Sequence, residues 1–206
     1  MAKNPELQAA LKGKTPEQKK VVKYFLASGC LSGKMKDEEY DAMVLAKLNS
    51  LDVKQKALNK IGLDEEELQE IPPVYFHGWE YDGAYKCVGK DGKNRTSKYS
   101  ATYLFFSDTQ VYMYYILFDM VSESKSEKTE EYFYKDITNF STSNDSVEIT
   151  TFSGCQGNTP NKKMVETSRF ALIVPGDKFY CSTTGIADVD QTISGMKQKL
   201  REKKTQ

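Results

Sequence analysis

Residues 98–121 read KYSATYLFFSDTQVYMYYILFDMV, and the fold turns on them. Aromatic and β-branched side chains suit a pleated, half-buried surface. The stretch therefore reads as two strands, 98–106 and 110–121, joined by a tight turn at Ser107-Asp108. Both strands are apolar on successive positions: Tyr103 to Phe106 in the first, Val111 to Phe118 in the second. Successive strand residues point to opposite faces. Strands apolar on both faces need cover on both sides. A β interior supplies one cover; the other has to be the N-terminal helices, a second copy of the chain or a partner.

Working outward, 74–81 is a strand with Tyr75, His77, Trp79 and Tyr81 on one face, continuing irregularly to Val88. Residues 89–97 form a polar loop around Asp91-Gly92, a hairpin signal. Beyond 121, residues 122–128 read as an exposed loop. Short strands are expected at 131–135, 138–142 and 146–151, with Asn144-Asp145 as a turn. Residues 153–167 contain Gly154, Gly157, Asn158 and Pro160 and read as a long loop. Two strands, 168–174 and 178–181, flank Pro175-Gly176. Residues 188–204 form a helix with Val189, Ile193, Met196, Lys197 and Leu200 inward.

The N-terminal third has another character. Residues 1–15 are polar and expected to be mobile. Thr15-Pro16-Glu17 is a helix start, with Val21, Val22, Phe25 and Leu26 as its stripe and Gly29 as its stop. After a turn over 30–36 with Gly33, a second helix starts near Asp37 and carries Tyr40, Met43, Val44, Leu48 and Leu51. Asp52 is placed to cap a third, which Gly62 ends. Residues 64–70 are an acidic last turn or short helix, and Pro72-Pro73 forbid further helix. The division is a helical module over 1–72 and a β domain with a C-terminal helix over 73–206.

The totals fit a globular chain. Of 206 residues, 39% are hydrophobic and 28% charged, and Lys plus Arg equal Asp plus Glu at 29 each, so no global field favours nucleic acid or an anionic surface. The first residues lack the apolar run of a secretory signal, and no stretch reaches the roughly 18 apolar residues of a membrane helix. A cytoplasmic setting is expected. Cys30, Cys87, Cys155 and Cys181 form no C-x-x-C pair and no zinc spacing. No metal or cofactor is expected.

Two resemblances follow from quoted residues. The stretch YFLASGCLSGKMKDEEYDAMVLAKL, 24–48, is similar to the short bacterial helical hairpins of the SHOCT type, with Gly33, Glu38-Glu39-Tyr40 and Lys47-Leu48 matching. The stretch EEYFYKDITNFSTSNDSVEI, 130–149, with its Tyr134-Lys135-Asp136-Ile137 step, resembles the middle strands of bacterial pleckstrin-homology-like domains. That resemblance implies an α+β chain: an N-terminal helical hairpin module followed by a PH-like antiparallel β-barrel closed by a C-terminal helix. It implies lipid, peptide or protein binding without choosing among them.

Catalytic candidates are few. His77 is the only histidine and shares a face with aromatic residues. Glu80 and Asp82, two apart on a strand, are the nearest thing to an acid–base pair. The cations Lys86, Lys90, Lys93, Arg95 and Lys98 line the Asp91-Gly92 hairpin, and Lys86, Lys93 and Arg95 have the spacing with which some PH domains hold inositol phosphates. Converging cations hold a phosphate group. The basic tail 197–204 lacks the interleaved aromatics of a nucleic-acid surface, and no nucleic-acid partner is expected. The expectation is a non-enzymatic module that binds a protein or peptide partner along the barrel groove, or dimerises through the apolar strands. Membrane recruitment through anionic lipid or phosphoinositide at the basic hairpin is the alternative, and an enzyme the third.

Overall fold

The structure, a computed structural model, describes residues 5–27, 34–64, 72–153, 159–183 and 188–204. Gly29, Cys30, Gly33, the acidic turn after Asp64, Gly154, Cys155 and Gly157 lie outside the described residues. The order is α1 (Pro5–Leu11), α2 (Pro16–Leu26), α3 (Asp37–Ser50), α4 (Val53–Ile61), β1 (Val74–Glu80), β2 (Lys86–Val88), β3 (Asn94–Thr96), β4 (Lys98–Phe106), β5 (Gln110–Asp119), β6 (Lys125–Phe133), β7 (Asn139–Ser153), β8 (Thr159–Val174), β9 (Asp177–Ser182) and α5 (Val189–Lys204).

Local chemistry sets the helix ends. Thr15 accepts from the Gln18 amide while Gln18 accepts from the Thr15 amide, a capping box at the start of α2. Asp52 stands at the N-cap of α4 with φ 43° and no side-chain capping bond. The expected Asp52 cap is therefore not made; its contribution is a left-handed turn, which Asp tolerates better than most residues. Gly62, at φ 77°, ends α4 with its amide on the Leu58 carbonyl. The N-terminal residues expected to be mobile include α1, whose Leu7, Ala10 and Leu11 pack on the core.

The strands are antiparallel and form three sheets: β1-β4-β5-β6, β2-β3 and β7-β8-β9. The four- and three-stranded sheets enclose one core. Phe76, Leu104, Phe106, Val111 and Met113 meet Phe140, Phe170, Leu172 and Cys181 there, and α5 adds Ile193, Met196 and Leu200. The opposite face of the four-stranded sheet presents Tyr99, Ala101, Phe105, Tyr114, Ile116 and Phe118 to Val21, Val22, Tyr40, Val44, Leu48, Val53 and Leu58 of α2, α3 and α4. The cover that the two-faced strands require is thus the helical layer of the same chain. Each fully buried side chain of this size contributes about 1.5–3 kcal/mol.

Four strand expectations are corrected. β3, Asn94–Thr96, lies within the stretch expected as a polar loop. Residues 125–128, expected in a loop, open β6, whose charges suit a sheet edge. Asn144-Asp145, expected as a turn, lies inside β7, paired with Ser168 and Thr167 of β8. Asn144 accepts from the Ser168 hydroxyl at 2.8 Å, and the Asp145 carbonyl accepts from the Thr167 hydroxyl at 3.2 Å. Cross-strand partners have taken the hydrogen bonds that a turn would have used. Residues 159–167, expected in a loop, begin β8, where Lys162 pairs with Glu148 across the ladder at 2.9 Å.

Candidate interaction site

The basic hairpin is turned inward at its centre. Arg95, 2% exposed, donates from Nε and Nη2 to both oxygens of Asp41 on α3, and from Nη1 and Nη2 to both oxygens of Asp91. Hydrogen bonding to Arg95 holds the Asp91 carboxyl well below the usual carboxylate range. The Lys90 amide donates to Asp37 at 2.6 Å, and Asp37 also accepts from the Tyr24 hydroxyl at 2.7 Å. Beside them the buried Tyr40 hydroxyl donates to the Thr96 carbonyl. Lys98 donates to the Asp82 carbonyl, Lys86 is half-buried, and only Lys90 and Lys93 are exposed. Of the five cations named for an anion site, Arg95 at the centre of the pattern is already satisfied by two carboxylates. The hairpin docks the helical layer. Asp37 and Asp41, one helical turn apart, carry that docking. Acids at i and i+4 around Tyr40 are the sequence signal for that shared face.

The catalytic candidates are also occupied. His77 Nδ1 lies 2.6 Å from the Tyr99 hydroxyl, and burial lowers its pKa. Glu80 accepts from the Ser100 hydroxyl at 2.7 Å, and burial raises its pKa. Asp82 sits in the exposed turn after β1. The Cys87 thiol is pushed up to about 11 and the Cys181 thiol is raised further, both by burial, which removes thiolate character.

The open features lie at the sheet edges. β1 and β9 end their sheets but lie beside each other. β6 and β7 are the remaining edges of the two larger sheets. In β6, Lys125, Glu127, Lys128, Glu130 and Glu131 occupy five of nine positions; Glu127 pairs with Lys60 and Lys128 with Glu130. Such charges guard an edge against strand addition. β7 carries only Asp145 and Glu148 in fifteen residues. The β2 strand approaches its second half, where Val147 and Ile149 join Tyr81 and Val88. Phe140, near its start, shares the core with α5. Between these covers the stretch 141–146 is polar and free of cationic guards, with Thr142, Asn144 and Ser146 exposed and the Ser143 hydroxyl buried without a hydrogen-bond partner among the described residues.

Where β6 turns toward β7, a cleft of about 580 Å³ is lined by Asp108, Thr109, Phe133, Tyr134, Lys135 and Lys203. Lys203, from the last turn of α5, pairs with Asp108 at 3.2 Å. Among the described residues, no group of His, Cys, Asp or Glu is arranged to hold a metal, and no helix is long and apolar enough to cross a membrane. No family model matches the chain, and neither a curated protein nor a solved structure is significantly similar to it.

Proposed function

We propose that the protein is a non-enzymatic interaction module that receives an extended segment of a partner protein along the first half of β7. The observation that carries this reading is the contrast between the two sheet edges: β6 is guarded by five charges, and the 141–146 stretch of β7 by one, Asp145. An unguarded edge offers main-chain hydrogen bonds to an added strand, and neighbouring clefts choose its side chains. The four- and three-stranded sheets, with α5 packed on their shared core beside β7, support a pleckstrin-homology-like arrangement. The likeness of α2 and α3 to SHOCT-type hairpins supports reading the helical layer as an appended module; here it covers the sheet. The occupied partners of His77 and Glu80 support a binding role over a catalytic one.

The test is selection of random linear peptides on the full-length protein, followed by amide hydrogen exchange of 141–146 with and without each selected peptide. Bound peptide is expected to slow exchange there. The double variant Thr142→Lys/Ser146→Lys, at two exposed positions, is expected to fold normally and lose binding. Selected peptides that bind the double variant as tightly as the parent would sink the proposal.

A further inference from the structure

The cleft between the end of β6 and the end of α5 has an unusual lining for its position. Phe133 is 48% exposed at the end of an otherwise charged strand, and the Lys135 ammonium stands 5.4 Å from its ring centroid. Lys203 is mostly covered, and its carboxylate partner, Asp108, is itself 78% exposed. Lys135 meets the ring rather than a carboxylate among the described residues. Among the described lining residues, two ammonium groups stand against one carboxylate, which makes the lining positive. Lys203 and the exposed Lys204 outweigh the partial negative charge of the α5 C-terminus.

The cleft is also held in shape. The Tyr134 amide donates to the Thr109 carbonyl at 3.0 Å, and the Tyr134 hydroxyl donates to the Ser107 carbonyl at 3.0 Å. The turn between β6 and β7 is thereby fixed to the turn between β4 and β5. From there the chain passes through the buried Ile137 into β7, so the cleft lies just ahead of β7 in the chain. A pre-formed pocket with an uncovered aromatic ring costs little to order on binding.

We infer that this cleft reads a carboxylate next to an aromatic or aliphatic side chain in the segment bound along β7. The inference rests on the β7 reading above and adds the chemistry of the partner. The apolar side chain covers the Phe133 ring; the carboxylate takes a charge-assisted hydrogen bond from Lys135, with Lys203 as the second cation.

The experiment uses the peptides selected on the full-length protein, measured against Lys135→Glu, Lys203→Glu and Phe133→Ser. Phe133 and Lys135 are exposed and Lys203 is half-buried, and circular dichroism checks that each variant folds. Selected peptides are expected to carry Asp or Glu beside an aromatic or aliphatic residue, and Lys135→Glu to weaken them roughly tenfold, as loss of one charge-assisted bond does. Peptides that protect 141–146 from exchange but carry no acidic preference, and bind Lys135→Glu as tightly as the parent, overturn the inference and leave the β7 reading standing. Recovery of no peptide that protects 141–146 overturns both.

Discussion

The Arg95 guanidinium meets Asp41 side-on, with Nε and Nη2 each 2.7 Å from one carboxylate oxygen. This bidentate pair links β3 to α3, two elements 54 residues apart in the chain. With Asp91 on its other side, the guanidinium is buried with both carboxylate partners in place, the condition under which a buried cation is tolerated.

Removing one partner tests that condition. Asp41→Ala is expected to destabilise the protein by about 2 kcal/mol, the range of a hydrogen bond to a charged group. Lys93→Glu, at an exposed position of the same hairpin, is expected to change stability by less than about 0.5 kcal/mol. Urea unfolding of the two variants and the parent measures both. Equal effects would mean that the hairpin is an ordinary solvated loop.

Gly89 reports on the same junction from the backbone. A Cβ placed there would lie 2.6 Å from Asp91 Oδ1 and 2.7 Å from Asp37 Oδ2, and would run into the Arg95 guanidinium. Gly89→Ala is expected to cost about 1–3 kcal/mol through overpacking. Introduced into Asp41→Ala, where the clamp is already loosened, it should cost less. A double-mutant cycle with strictly additive effects would contradict the placement.

The helical layer covers Tyr114, Ile116 and Phe118, all at most 1% exposed. A fragment of residues 73–206 uncovers that face. It is expected to self-associate in light scattering and to unfold at lower denaturant than the full chain. A monomeric fragment as stable as the full chain would show that the helices contribute nothing to the fold.

His77 makes stability fall in mild acid. Burial lowers its folded-state pKa below the ordinary value of 6.5. The unfolded chain therefore takes up a proton that the folded chain resists. The penalty is absent above the unfolded pKa and grows as pH falls below about 6.5. His77→Gln should flatten the stability profile between about pH 6.5 and 5. Glu80, whose pKa is raised by burial, acts with the opposite sign at lower pH: its protonated form is favoured in the fold, so its contribution improves as pH falls. An unchanged slope in His77→Gln would rule out the histidine as the cause.

Local chemistry in the sequence determined most of the elements. Thr15, Pro16 and Gln18 carry the start of α2, Gly62 the end of α4, and Pro175-Gly176 the turn between β8 and β9, because caps and turns depend on the few residues that make them. The doubled apolar pattern of 98–121 required two covers, since period-2 geometry leaves no other way to bury both faces. What covered the second face was decided by the tertiary structure, because helices, a second copy and a partner all satisfy that pattern equally. Tertiary pairing also overruled Asn144-Asp145, whose turn preference is weaker than a ladder that supplies partners for both residues. It took Arg95 out of the basic hairpin, because a guanidinium among cations close in sequence lay within reach of Asp41, distant in sequence. The contrast between β6 and β7 likewise exists only once sheet order makes them edges: charges at 125–131 and their scarcity at 139–153 are visible in the chain, but an edge is a property of the neighbours a strand lacks.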